Sequence, residues 1–160
     1  MATAPQNAYC LPMRVPLTII DHIRRAELLY ADRIAVVDEP DQPAQSWGSL
    51  TYRQVAERAR AQAAGLDALG IGEGERVAVV SHNSARLLTS FFGVSGSGRV
   101  LVPINFRLSA SEVAYIVEHS GASMLLVDPE LEESLSHVSA AHRYVIGAES
   151  DALLYDFDNT

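Results

Sequence analysis

The stretch Arg76-Val77-Ala78-Val79-Val80 decides the fold of this 160-residue chain. Its four consecutive apolar residues, three of them β-branched, are typical of a strand that is covered on both faces. Strands of this kind occur in parallel sheets, where the crossover helices lie on both sides of the sheet. The stretch therefore predicts an α/β fold: an open, mostly parallel sheet with helices on both faces.

Similar apolar runs and helical periodicities on either side of this stretch predict the other elements. Ser or Thr followed three residues later by an acidic or amide side chain marks helix starts at Thr18, Thr51 and Ser109. We expect Pro103 to end the strand that begins at Val100, because proline cannot donate to a ladder. The predicted strands are 34–37, 49–51, 76–80, 100–102, 124–127 and 144–146. The predicted helices are 18–30, 51–70, 84–94, 109–121 and, more weakly patterned, 130–139.

The pattern divides the chain into three regions. Residues 1–16 contain three prolines, which favour an extended N-terminal arm. Residues 17–147 carry the alternating strands and helices and form the predicted αβ subdomain. Residues 148–160 carry acidic residues and no basic one, which indicates either a solvated acidic tail or a truncated connection to something further along.

Composition excludes several classes of function. The net charge is −8, and no cluster of arginines forms the footprint that nucleic acid binding requires. No apolar run approaches the roughly 20 residues of a membrane span, so we expect no membrane-spanning segment. A single cysteine and the lack of a signal-peptide layout favour a cytoplasmic protein.

Motif spacing excludes most catalytic sites. All 12 basic residues are arginine, so a lysine-based phosphate loop is absent. Gly70, Gly72 and Gly74 follow a helix and precede a strand, which indicates a turn rather than a dinucleotide-binding loop. The five histidines lack the spacing of metal ligands, and G-x-S-x-G is absent. The sequence therefore predicts no metal site and no catalytic residue.

Ligands of open parallel sheets bind beyond the carboxyl ends of the strands, which directs attention to two loops. One loop carries His82 and Asn83, and the other carries Asn105 and Arg107. An arginine can grip a phosphate through two donors, but Arg107 could equally pair with Glu112 or remain solvated. His82 and Asn83 could simply mark the entry and cap of a helix.

Four stretches in order resemble the AMP-forming acyl-CoA synthetases, also called adenylate-forming enzymes. They are Leu50-Thr51-Tyr52-Arg53, Gly72-Glu73-Gly74-Glu75-Arg76-Val77-Ala78, His82-Asn83-Ser84 and Val102-Pro103-Ile104-Asn105-Phe106-Arg107-Leu108. The resemblance covers residues 17–147. It implies the first αβ subdomain of a large N-terminal domain, which packs against a second αβ subdomain beneath a small mobile C-terminal domain. Family members use ATP, Mg²⁺ and CoA to convert a carboxylic acid to its acyl-adenylate and then to its CoA thioester.

The chain lacks the parts with which the family activates ATP. The Ser/Thr/Gly-rich loop ending in Pro-Lys-Gly, the Tyr-Gly-x-Thr-Glu motif, the ribose-binding Asp and the catalytic Lys are all missing. The resemblance therefore implies no adenylation by this chain and no tight binding of ATP, Mg²⁺ or CoA. In some CoA ligases the Arg of the Val-Pro-x-Asn-x-Arg-Leu string contacts the nucleotide phosphate of CoA. The resemblance therefore implies that Arg107, with Asn105, lies on the CoA phosphate side. We expect the loop of His82 and Asn83 to lie on the substrate side.

Two functions remain open. The chain is either the N-terminal segment of a ligase acting on a carboxylic or fatty acid and inactive alone, or a non-catalytic interaction module. Such a module would self-associate or complement a ligase. Both predict an exposed apolar face where a partner docks. A free-standing flavodoxin-like nucleotide binder is disfavoured, because no phosphate loop is present.

Overall fold

The computed structural model describes residues 18–156, which form five α-helices and six strands. The helices are α1 (Ile19–Tyr30), α2 (Tyr52–Ala68), α3 (Ala85–Gly93), α4 (Ala110–Ser120) and α5 (Ala148–Tyr155). The strands are β1 (Ile34–Val37), β2 (Ser49–Thr51), β3 (Arg76–Val80), β4 (Val100–Ile104), β5 (Met124–Val127) and β6 (His142–Val145). Short 3₁₀ helices lie at Ser95–Ser97 and Pro129–Leu131. None of the described helices is both long and apolar enough to span a bilayer.

The main sheet has four parallel strands in the order β4-β3-β5-β6. Val80 at the end of β3 is level with Ile104 of β4 and with Val127 of β5. The carboxyl ends of these strands therefore lie at one edge of the sheet, and the predicted α/β fold is confirmed.

Alternate residues of β3 pack into two different cores. Val77 and Val79 belong to a cluster that includes Leu66 of α2 and Leu154 of α5. Ala78 and Val80 belong to a second cluster, which also contains Val113 and Val117 of α4. Both faces of β3 are thus buried, which is why its sequence is apolar at every position rather than at every second one.

A separate pair of antiparallel strands, β1 and β2, lies outside the main sheet. Leu50 of β2 is buried with Ile23 of α1, Val55 of α2 and Ala85 of α3. The strand pair is therefore attached to the rest of the fold through a third core that the helices supply.

Helix termini follow the local sequence signals. The backbone N–H of Thr51 donates to Gln54 Oε1 at 2.8 Å, and the N–H of Gln54 donates to Thr51 Oγ1 at 3.3 Å. Helix α4 has the same reciprocal arrangement between Ser109 and Glu112, whose contacts with the Ser109 hydroxyl and N–H lower the pKa of the Glu112 carboxyl. Gly121 ends α4 with φ of 61°, in the left-handed region that favours glycine.

Strand β4 does not end at Pro103, contrary to the sequence prediction. It continues to Ile104, with Pro103 opposite Val79 of β3. Because β4 lies at an edge of the sheet, it pairs on one side only and can accommodate a residue without an N–H.

The predicted helix at 130–139 is also wrong. Only a 3₁₀ turn forms at Pro129–Leu131, and irregular turns follow it. The guanidinium of Arg143 donates to the carbonyls of Val138 at 2.9 Å and Leu135 at 3.3 Å, and it pairs with Glu132. These contacts satisfy carbonyls that a continuing helix would otherwise engage. The following strand begins at His142 rather than at residue 144.

Residues 148–155 are not a solvated acidic tail. They form α5, in which Ser150 and Leu154 are buried and Asp151 pairs with Arg86. The alternative, that 148–160 are a truncated connection, stays a prediction. The predicted arm at 1–16 lies outside the described residues, and the boundary of the subdomain at 147 stays a prediction.

Candidate functional site at the carboxyl edge of the sheet

Three loops meet where β3, β4 and β5 end. The rings of His82, after β3, and Phe106, after β4, are tilted against each other with centroids 3.9 Å apart. His82 Nε2 lies 2.8 Å from Oε2 of Glu130, which follows β5. The parallel arrangement of the strands thus brings together side chains that are far apart in sequence.

Arg107 is exposed at this edge and does not pair with Glu112. Its guanidinium carbon lies 5.2 Å from the centroid of the Phe106 ring. Glu112 instead accepts from the hydroxyl of Ser109 at 2.6 Å, and no carboxylate between residues 18 and 156 forms an ion pair with Arg107. The ion-pair alternative is therefore wrong, and the guanidinium is available to a ligand.

The side chain of Asn105 shapes the loop that presents Arg107. Its Oδ1 accepts from the backbone N–H of Arg107 at 3.0 Å, and its carbonyl accepts from Leu108 N–H at 3.2 Å. Such turns are typical of Asn, whose side chain can bond to the backbone two residues on. A direct contact between Asn105 and CoA stays a prediction.

His82 and Asn83 precede α3 but do not cap it. The cap is Ser84, whose Oγ accepts from the N–H of Leu87 at 3.2 Å, so the capping interpretation of His82 and Asn83 is wrong. About a third of the His82 side chain (34%) is exposed, and Asn83 is exposed beside a groove between β1 and α3. Their predicted place on the substrate side stays a prediction.

Sequence reasoning missed Asp128 and Glu130, which complete this edge. The ligating atoms of His82, Asp128 and Glu130 lie within 4.8 Å of one another, and these side-chain types bind transition metals. The Asp128 carboxylate already accepts from the N–H groups of His82 at 3.3 Å and Glu130 at 3.1 Å, and Glu130 contacts the His82 ring. These contacts account for the geometry without an ion, so we assign no metal. The sequence signal that could have pointed to this site is the pair Asp128-Pro129, which directly follows the buried strand β5.

The groove between β1 and α3 has a volume of about 390 Å³ and a largely apolar lining. Val36 and Val37 contribute from β1, and Leu87, Leu88 and Phe91 contribute from α3. Val37 is 76% exposed, Leu88 41% and Phe91 36%. The described part of the chain thus has exposed apolar side chains at this groove, and the docking of a partner on them stays a prediction.

Asp38 fixes the position of β1 relative to α3 at one end of this groove. The carboxylate is buried and accepts from the N–H of Ala85 at 2.8 Å, the N–H of Trp47 at 2.9 Å and Nε2 of Gln42 at 2.7 Å. One side chain thus joins the first turn of α3 to the loop between β1 and β2.

The sequence model of the AMP-binding enzyme family matches residues 23–159. The chain belongs to this family. The match includes both the carboxyl edge of the sheet and the groove, so the two surfaces are parts of an AMP-binding enzyme scaffold.

Several named relatives in the AMP-binding enzyme family are acyl-CoA ligases. The chain is 48% identical over 81 residues to a long-chain-fatty-acid–CoA ligase of Thermus thermophilus, covering 51% of this chain and 15% of the relative. It is 36% identical over 122 residues to 4-hydroxybutyrate–CoA ligase 2 of Metallosphaera sedula, covering 76% and 21%. The inhibitor-bound N-terminal domain of FACL13 from Mycobacterium tuberculosis superposes with a TM-score of 0.74 at 30% identity, covering 88% of this chain and 36% of that one.

The chain thus spans 15% and 21% of the length of these two curated relatives. It corresponds to an N-terminal portion of AMP-binding enzymes that are named acyl-CoA ligases. Most of the length of such a ligase lies outside these 160 residues.

Proposed function

We propose that this chain is the N-terminal part of an AMP-forming acyl-CoA ligase acting on a carboxylic or fatty acid, and that it is inactive alone. The observation that carries the proposal is the family match over residues 23–159 in a chain spanning about a fifth or less of its relatives. The absence of any lysine from the 160 residues supports inactivity, since the family activates ATP with a lysine. A cytoplasmic location is part of the same proposal.

Of the family's ligands ATP, Mg²⁺ and CoA, the described residues best fit a phosphate group of CoA. A guanidinium that is exposed and free of carboxylate partners suits a phosphate group, and Arg107 meets this description beside the Asn105 turn. ATP and Mg²⁺ would be held by other parts of the ligase, and CoA supplies the thiol that accepts the acyl group. The role of this chain's own residues is to position one phosphate of CoA and to support the site.

Replacing Arg107 by alanine in the complete ligase should weaken CoA binding and leave acyl-adenylate formation unchanged. Losing a charge-assisted contact to phosphate costs about 1.5–3 kcal/mol, which corresponds to a rise of roughly ten- to a hundredfold in the CoA dissociation constant. Isothermal titration with CoA measures the first effect, and ATP–pyrophosphate exchange measures the second.

Two variants make the Arg107 test specific. Arg107→Lys keeps the charge but loses the two-donor fork, so we expect an intermediate affinity. Arg53→Ala removes another exposed arginine, which pairs with Asp32 away from this edge, and should leave the affinity for CoA unchanged. Equal CoA affinity in Arg107→Ala and the unsubstituted ligase would remove Arg107 from the CoA site.

The gene itself tests the identity of the chain. If the proposal holds, the DNA downstream of the codon for Thr160 encodes, in this or a neighbouring frame, the Ser/Thr/Gly-rich loop ending in Pro-Lys-Gly. Sequencing that region decides the matter. Its absence, together with no separate gene that encodes a matching remainder, would count against a ligase and favour the interaction module.

The interaction module is the second candidate, and the exposed apolar groove formed by Val37, Leu88 and Phe91 favours it. Light scattering over a range of protein concentrations distinguishes the two forms of this module. A mass that doubles with concentration indicates self-association, whereas a monomer that changes mass only with the rest of the ligase indicates complementation.

A further inference from the structure

Three loops at the carboxyl edge of the sheet are linked by a series of side-chain contacts that ends at Arg107. Oε2 of Glu130 lies 2.8 Å from Nε2 of His82. The His82 ring packs against the Phe106 ring, with 3.9 Å between the centroids and 36° between the planes. The guanidinium carbon of Arg107 lies over the same Phe106 ring, 5.2 Å from its centroid. The position of Arg107 thus depends on contacts that begin in the loop after β5.

Backbone hydrogen bonds hold the far end of this series. The buried carboxylate of Asp128 accepts from the N–H groups of His82 at 3.3 Å and Glu130 at 3.1 Å. The N–H of Asp128 in turn donates to the carbonyl of Val80, the last residue of β3, at 2.8 Å. His82 and Glu130 are therefore fixed relative to the sheet, and the His82 ring supports the ring of Phe106.

Phe106 is the residue that can orient the guanidinium of Arg107. Among residues 18–156, that guanidinium donates no hydrogen bond and forms no ion pair. An arginine side chain has many rotamers, so ordering it on binding costs entropy. An aromatic face attracts the cation without engaging its N–H donors, which lie in the guanidinium plane. Phe106 can therefore order Arg107 and leave the two-donor fork available to a phosphate.

We propose that Phe106, His82 and Glu130 are positioning residues for CoA, which act only by holding the guanidinium of Arg107 ready for a phosphate. This inference rests on the proposed function, which supplies the phosphate and the role of Arg107 in binding it. His82 then serves the CoA side of the site instead of the substrate side expected from the sequence. The three side chains need no contact with CoA themselves, so their effect on CoA affinity should require Arg107.

Replacing Phe106 by leucine in the complete ligase removes the aromatic face and keeps an apolar side chain. We expect the dissociation constant for CoA to rise roughly three- to tenfold, because an arginine that is not ordered beforehand must be ordered on binding. Phe106→Tyr keeps the aromatic face and should restore the affinity to within about twofold. Isothermal titration with CoA measures both effects. ATP–pyrophosphate exchange should not change, because CoA takes no part in forming the acyl-adenylate.

Glu130→Gln tests the far end of the series at a position outside the core. The Glu130 side chain is 61% exposed, and exposed ion pairs contribute little to stability, so the variant should fold normally. We expect the CoA affinity to fall about two- to fivefold. Glu133→Gln is the matched control, since it removes another exposed carboxylate from the same loop and should leave the affinity unchanged. Equal CoA affinities of Glu130→Gln and Glu133→Gln would overturn the role given to Glu130 and His82.

A double-variant cycle with Arg107→Ala separates positioning from direct contact. If Phe106 acts through Arg107, Phe106→Leu should cause no further loss of CoA affinity in the Arg107→Ala background. A further loss of about threefold or more would show that Phe106 contacts CoA itself, and it would overturn the inference. An unchanged affinity in Phe106→Leu beside a clear loss in Arg107→Ala would overturn it too.

NMR of the 160-residue chain follows the same contacts without CoA and without the rest of the ligase. Phe106→Leu and Glu130→Gln should each shift the Nε–Hε signal of Arg107, since both alter the ring beneath the guanidinium, and Glu133→Gln should not. An Arg107 signal that is the same in all of these proteins would overturn the inference, whether or not the ligase is active. A complete ligase that forms no acyl-CoA would instead contradict the proposed function, so the two failures are distinguishable.

Discussion

Replacing Asp151 by alanine should lower the free energy of unfolding by about 3 kcal/mol, because it leaves a buried arginine without its carboxylate. Arg86 is 5% exposed, and its Nε and Nη2 donate to the two oxygens of Asp151 at 2.9 and 2.6 Å. The guanidinium also lies 4.5 Å from the centroid of the Trp47 ring. The substitution therefore leaves the buried guanidinium without a counter-ion, and it removes a contact that holds α5 against α3.

Urea unfolding followed by circular dichroism measures this loss, and two variants show its cause. Glu149→Ala removes an exposed carboxylate from the same helix and should change stability by about 0.5 kcal/mol or less. The double variant Arg86→Met with Asp151→Leu removes both charges and should recover part of the loss, since apolar replacements of buried pairs are often tolerated. If Asp151→Ala were no worse than Glu149→Ala, the pair would not hold α5 in place.

Replacing Asp38 by alanine should cost roughly 3 kcal/mol, because two backbone donors lose a charged acceptor in a buried position. The N–H groups of Ala85 and Trp47 both bond to this carboxylate, and the carboxylate also lies at the positive end of α3. Without it, the first turn of α3 and the loop before β2 are no longer tied together. We therefore expect the groove to lose its shape as the protein loses stability.

Thermal unfolding of three variants separates the contributions at this position. Asp38→Asn keeps one oxygen acceptor and should lose about half as much stability as Asp38→Ala. Asp41→Ala removes an exposed carboxylate from the same loop and should be close to neutral. Equal stability of Asp38→Ala and Asp41→Ala would contradict the anchoring role of Asp38.

Features with a local cause were predictable from the sequence. The apolar run of β3 reflects the burial of both of its faces. The reciprocal caps of α2 and α4 depend on residues only three positions apart. The left-handed conformation of Gly121 follows from its place after the last turn of a helix. Such signals are contained within a few residues, so they can be recognised without knowledge of the fold.

Features that depend on distant partners were not predictable in the same way. Asp151 looked like part of a solvated tail because Arg86, its partner, lies 65 residues earlier. The apolar spacing in 130–139 suggested a helix, whereas Arg143 holds the carbonyls of that segment in another conformation. Pro103 was expected to end β4 because its place at an edge of the sheet was not visible in the sequence.

The same distinction between local and distant causes applies to the residues of the candidate site. The rule for parallel sheets found His82 and Arg107, because strand order is not needed to know that carboxyl ends share an edge. Asp128 was missed, since its contact with the His82 N–H joins residues 46 positions apart. Asp38 was missed for the same reason, with its donor Ala85 47 positions away.

The central claim is that the chain carries the scaffold of an acyl-CoA ligase but needs the rest of the enzyme for chemistry. ATP–pyrophosphate exchange in the presence of fatty acids tests it most directly, on the purified 160-residue chain and on the same chain joined to the remainder of the ligase. We expect no exchange by the chain alone and carboxylate-dependent exchange by the joined protein. ATP–pyrophosphate exchange by the isolated chain would contradict the account. A joined protein that shows no exchange with any acid tested would contradict it as well.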